Sequence, residues 1–185
     1  EAWVAYENML VGALLRAKGL ASKGVELFAS PALKFFLYND INRERFKSDP
    51  KCLENFILLD DNDIWTALKV WCNHNDIILA TLSQGMVNRE IFKVEVSPTP
   101  CTEERLNAIS ERIAKQLHIN KEDTRYFIST PSIEKNMYNP ADDSIDILYN
   151  DGSTTNIAEA SDMLHLSVLS KKVKKYYICY LREKK

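Results

Sequence analysis

Within GMVNREIFKVEV, residues 85–96, two cations stand four positions apart, Arg89 and Lys93, on either side of Phe92. An Arg and a Lys on one short segment are residue types that hold a phosphate. The guanidinium offers a planar fork of donors and the ammonium a point charge. If 89–93 is extended, both point to one face, opposite Phe92 and Val94, roughly 13 Å apart. If the backbone is still helical at Arg89, they come closer. Type and spacing alone leave two readings open: solvated charges, or an anion site.

Other groups capable of chemistry are few. Three histidines are present, His74, His118 and His165. In CNHND, Cys72, His74 and Asp76 lie two apart, but i,i+2 side chains of a helix diverge and do not face one ion. DDND (Asp60, Asp61, Asp63) is acidic enough for a divalent cation, yet it lacks further oxygen ligands and suits a helix N-terminus. No G-x-S-x-G, P-loop, G-x-G-x-x-G or H-E-x-x-H occurs. No catalytic and no metal-ligating residue is therefore expected in this chain. Aromatics on expected strands (Tyr126, Phe127, Tyr176, Tyr177, Tyr180) could stack RNA bases if exposed, but the glycine-bearing RNP signature is missing. Lys171, Lys172, Lys174 and Lys175 read as a solvated helix end.

Composition narrows the classes. The chain has 185 residues, 45% hydrophobic, with 27% charged and a net charge of −2. No global field draws in nucleic acid or an anionic membrane, so an anion site must be local. The apolar runs FFLY and YYICYL are too short to span a bilayer, and no signal peptide is seen. Four scattered cysteines without a CxxC pair fit a reduced, cytoplasmic compartment.

The elements that must position Arg89 and Lys93 change character near residue 90. Before it, helical periods dominate. Residues 2–18 read as a helix ended by Gly19, with Trp3, Tyr6, Leu10, Leu14 and Ala17 on its apolar face. Ser30 with Pro31 starts a second helix. SDPKCLENFILLD gives a third and DDNDIWTALKVW a fourth, with an Ile64, Leu68, Trp71 stripe. DIILATLSQGMVN gives a fifth. After it, IFKVEV alternates as a strand. Thr102 caps a helix carrying Leu106, Ile109, Ile113 and Leu117. TRYFIST reads as a strand, PSIEKNMYNPADD as a loop, SIDILY as a strand and NDG as a turn. A helix capped near Thr155 or Asn156 and a last strand, KKYYICYLR, complete the pattern. The fold class expected is α+β: a helical lobe over 1–88, then a ferredoxin-like βαββαβ lobe over 89–185 with an antiparallel sheet.

LFASPALKFFLYN, FILLDDNDIWTALKVW and TLSQGMVNREIFKVEV resemble the region that follows the catalytic core in HD-superfamily phosphohydrolases. The nearest group is the deoxynucleoside triphosphate triphosphohydrolase-like proteins. VAYENMLVGALLRAK is similar to the helix after that family's last substrate-contacting segment. The family's catalysis rests on a His…His-Asp…Asp set holding a divalent metal, and this sequence has no His-Asp dipeptide. The resemblance therefore implies a catalytic HD core, with its metal, upstream of Glu1. The helical start without an initiator Met agrees with a piece cut from a longer protein, and equally with removal of a tag or trimming.

In the mammalian member of the group, an R-N-L-F-K segment supplies an Arg and a Lys to phosphates of an activating nucleotide between subunits. The match here is Arg89-Glu90-Ile91-Phe92-Lys93. Both cations and Phe92 are kept, while Glu90 replaces Asn and adds a negative charge. The resemblance implies a regulatory and assembly region, with Arg89 and Lys93 as nucleotide-phosphate ligands. Its expected partners are the upstream HD domain, further copies of itself and a nucleoside triphosphate. It needs no cofactor of its own, and neither membrane nor nucleic acid is expected as a partner. The rival reading is a stand-alone protein- or RNA-binding module, which exposed sheet aromatics would favour.

Overall fold

Each described α-helix after the first is started by a side chain accepting from its first-turn N–H groups, worth about 1 kcal/mol apiece. The computed structural model describes residues 2–135, 146–156 and 173–183. Ser30 caps α2 (Pro31–Tyr38), Asn42 caps α3 (Arg43–Ser48) and Asp49 caps α4 (Pro50–Leu58). Asp60 caps α5 (Asp61–Trp71) in a reciprocal capping box with Asp63. Asp76 caps α6 (Ile77–Val87), and Thr102 caps α7 (Glu103–Leu117). The acidic DDND thus begins a helix, as its composition suggests.

The first helix, α1 (Ala2–Ala21), departs from its expected form in two ways. It runs through Gly19, and the chain turns at Gly24, whose φ is +82°. Its buried face is Ala5, Met9, Ala13, Ala17 and Ala21, while Trp3 is 59% exposed and Tyr6, Leu10 and Leu14 only flank the core. The reason is close approach. A Cβ on Gly12 would meet the Tyr126 carbonyl oxygen at 3.0 Å, and one on Gly85 of α6 would meet Met9 Cε at 2.7 Å. A helix surrounded this tightly needs small residues inward, and its large ones move to the flanks.

The strands form an α+β arrangement with an antiparallel sheet, as expected. β6 (Val173–Tyr180) is its central strand. β1 (Lys93–Ser97) pairs along one edge of it, and β2 (Ile128–Ser129) and β3 (Ser132–Lys135) follow one another along the other. Tyr177 N–H donates to Pro131 O at 2.9 Å between the two short strands. The path β1–α7–β2 is thus a split βαβ unit with β6 threaded between its strands.

Local details differ from the sequence reading. TRYFIST is extended only at β2, because Lys121–Tyr126 forms a 3₁₀ helix. β3 falls where a loop is expected. SIDILY supplies β4 (Asp146–Leu148), which pairs with β5 (Thr154–Asn156) as a separate hairpin outside the main sheet. Tyr149 N–H to Ser153 O at 2.9 Å and Gly152 at φ +84° close that turn. Local closure through NDG holds this strand to its neighbour. Thr155 and Asn156 belong to β5, and the rest of the helix expected there lies outside the described residues.

One core joins helices and sheet: Met9, Leu68, Trp71 and Leu82 continue into Phe92, Ile113, Phe127 and Cys179. Arg16 of α1 adds a partly buried tie, forking onto Asp76 at 3.0 and 2.6 Å and reaching Asp123 at 3.4 Å. Burial alone would push the Asp76 carboxyl up; the guanidinium and Leu79 N–H outweigh it and hold it below the usual range. Among the described residues no helix is long and apolar enough to cross a membrane.

Candidate phosphate-binding site

Arg89 stands where α6 stops. Arg89 N–H donates to Met86 O at 3.3 Å and Glu90 N–H to Gly85 O at 2.8 Å, the paired bonds of a Schellman motif. That motif puts one residue in the left-handed region, and here it is Arg89, at φ 60°. Gly24 holds the equivalent place after α1 and His118, at φ 54°, after α7. Glycine and histidine tolerate this region better than arginine does. The left-handed turn excludes both backbone forms weighed from sequence, since Arg89 is neither extended nor within the helix.

Arg89 and Glu90 are exposed, whereas Phe92 is buried against Phe127 with centroids 6.2 Å apart. Arg89 lines a cleft of about 810 Å³ with Gln84, Asn88, Gln116 and Arg182. Lys93 lines a neighbouring cleft of about 510 Å³. Arg182 and Glu183 border both. The two cations therefore stand on neighbouring clefts that share Arg182 and Glu183, in the segment that follows β6.

The β1–β6 register opposes Lys93 to Tyr180 and Val94 to Cys179. Lys93, Glu95 and Tyr180 consequently share one face, turned to α7, while Val94 and Cys179 join the core. Glu95 is the hub of that face. Its carboxylate accepts from Lys93 at 2.9 Å and from Tyr180 Oη at 2.6 Å, and pairs with Arg105 of α7. Hydrogen bonds from Lys93 and Tyr180, with the charge of Arg105 close by, draw the Glu95 carboxyl down to about 2. The same bond raises the Lys93 ammonium above its ordinary value. Arg112 donates to Leu181 O at 2.6 Å and to Gln116 at 2.9 Å, and lies over the Tyr180 ring. Arg182 donates to Ile91 O at 2.9 Å.

Type and spacing in the sequence mark Arg89 and Lys93 but not Arg105, Arg112 and Arg182. A signal existed in part: Arg105 and Arg112 are seven apart on α7, two turns of one helix face. That this face meets Lys93 depends on the distant strand β6, which no local pattern announces.

The other candidates resolve into structural roles. His74 Nδ1 accepts from Asp76 N–H at 2.9 Å, and Cys72 ends α5, so CNHND is the α5–α6 connection. Among the described residues no group of three or more His, Cys, Asp or Glu could hold a metal ion. All four cysteines are free, with Cys52 and Cys179 buried. Burial pushes the Cys179 thiol up to about 11. Phe127 is fully buried, and Tyr126, Tyr176, Tyr177 and Tyr180 are half-buried. Lys174 and Lys175 lie in β6, and Lys171 and Lys172 lie outside the described residues.

No family model matches the chain, and no curated protein does. A solved structure of a phosphohydrolase from Bacteroides thetaiotaomicron is similar to it at 67% identity and a TM-score of 0.89. The match covers 98% of this chain and 45% of that one. The chain thus spans less than half the length of its solved relative.

Proposed function

We propose that the chain is the non-catalytic regulatory and assembly region of an HD-type, dNTP triphosphohydrolase-like enzyme. The observation that carries the reading is the 67% identity to a phosphohydrolase whose chain is more than twice as long, with 98% of this chain matched. In this reading the helical half packs on an upstream catalytic HD domain, which holds a divalent metal through its own residues. The parent acts as a homo-oligomer in a reduced, cytoplasmic setting, in keeping with four free thiols.

Arg89 and Lys93 contribute to a nucleotide-phosphate site that regulates the parent. Arg89 supports this by its backbone: a left-handed residue at φ 60° is a local cost that a glycine would avoid. A function needing a guanidinium at that point accounts for the choice. Phosphate binding then spends its free energy on ordering an oligomer, which is coupling between sites. The rival RNA-binding reading asks for exposed sheet aromatics, and none of the five named aromatics is exposed.

The test uses the full-length parent carrying Arg89→Ala and Lys93→Ala. Nucleotide-stimulated hydrolysis should fall at least tenfold, about 1.4 kcal/mol of coupling, and assembly by sedimentation should weaken with it. Stimulation and assembly equal to those of the wild type would remove the phosphate role.

A further inference from the structure

The cleft beside Tyr180 gathers more positive charge than a pairing of Arg89 with Lys93 uses. Its cations come from three segments: Lys93 from β1, Arg105 and Arg112 from α7, and Arg182 from the stretch after β6. Among the described residues, two carboxylates face them. Glu95 joins Lys93 and Arg105, and Glu183 stands 3.6 Å from Arg112 with its side chain 77% exposed. An exposed pair of that kind holds weakly. Four cations against two carboxylates make a local positive excess in a chain of net charge −2. Such a cluster keeps a potential that a further anion relieves.

The geometry indicates which anion. Lys93 Nζ and the Arg112 guanidinium each lie 5.8 Å from the Tyr180 ring centroid. Arg112 is held in place by Leu181 O and Gln116 before any ligand arrives. Glu95 meanwhile takes the three donors, from Lys93, Arg105 and Tyr180, that phosphate oxygens would take. A single phosphate would engage two or three of these groups. A cleft of about 510 Å³ bordered by four cations suits a chain of phosphates.

We propose that this cleft binds a polyphosphate anion through Arg105 and Arg112 together with Lys93, and that Glu95 is a resident competitor that the phosphates displace. The proposal rests on the reading of Lys93 as a phosphate ligand and adds Arg105, Arg112 and Glu95 to it. Inorganic triphosphate and the tail of a nucleoside triphosphate share the required chemistry.

The experiment is calorimetric titration of the 185-residue chain with inorganic triphosphate and, separately, with GTP. Saturable binding is expected, weakening as salt rises. Arg105→Ala, at a side chain 54% exposed, should weaken it at least tenfold. Glu95→Gln should tighten it several-fold, since the neutral amide competes less for the cations. Arg112→Lys keeps the charge and loses the fork, and should also weaken binding, with thermal melting confirming that each variant is folded. Equal affinity for both probes assigns the site to polyphosphate alone; tighter GTP binding assigns it to the nucleotide. Absence of saturable binding by the wild type overturns the inference. So does binding that Arg105→Ala and Glu95→Gln leave unchanged. If Arg89→Ala and Lys93→Ala then still abolish binding, only this inference fails and the proposed regulatory role stands. If Arg105→Ala weakens binding while Arg89→Ala is silent, the cleft stands and Arg89 leaves the regulatory site.

Discussion

A left-handed arginine is a residue whose backbone and side chain pull in different directions. At Arg89 the fold asks for a glycine, as it finds at Gly24 after α1. Arg89→Gly should therefore stabilise the chain by about 0.5–1 kcal/mol, measured by urea unfolding, while removing any guanidinium-dependent phosphate response. A destabilising result would mean that the side chain contributes to the fold itself. Glu95 carries the second prediction at this scale. Its carboxyl lies near 2 in the folded chain against an ordinary 4.5. A depressed carboxylate stabilises the fold above its unfolded value and loses that contribution as pH falls from about 4.5 through about 2. The gap in urea midpoint between wild type and Glu95→Gln should be open at neutral pH and close at about pH 2.

At the scale of elements, contact distance decides more than hydrophobicity. α1 buries four alanines and a glycine, with only Val4 and Met9 larger, because the 3₁₀ helix and α6 approach it closely. Gly12→Ala would gain about 1 kcal/mol of helix propensity and yet should destabilise, by roughly 1–2 kcal/mol net. The added methyl would press on the Tyr126 backbone carbonyl, which has no rotamer to change. An unchanged or raised melting temperature would count against this packing. The same feature explains what was legible beforehand. Helix starts were readable from Ser30, Asp60 and Thr102 because caps act within four residues. The stripe on α7 was readable because Ile113 and Leu117, its buried residues, repeat at helical spacing on one face. The face of α1 was not, because a helix packed on several sides has no single apolar stripe. β4 was readable as a strand but its partner was not, since pairing is decided between segments. The site was legible only in its local pair, Arg89 and Lys93, for the same reason.

For the whole molecule, the exposed apolar surface is the feature with consequences. Leu53, Phe56, Ile57 and Leu58 of α4 are 55–72% exposed, on a helix whose one buried residue is Cys52. If the helical half packs on an upstream domain through such a face, Ile57→Asp should barely change the melting of the 185-residue chain, by less than about 0.5 kcal/mol. In the full-length parent the same change should lower the melting temperature by several degrees. Equal effects in both would show that α4 faces solvent in the parent as well.

The position of β6 has one more consequence, for the order of events during synthesis. β1, β2 and β3 each pair with β6 alone in the main sheet. A ribosome finishes β1 some 76 residues before it begins β6. At roughly 5–20 residues per second, β1 waits on the order of ten seconds for its partner among the described strands. Through that interval Phe92, and Phe127 once it is made, lack the strand that helps to cover them, and the helices α1 to α6 are already complete. The helical half is therefore the natural scaffold for the nascent chain, and the late strand is the segment whose arrival a chaperone would have to await.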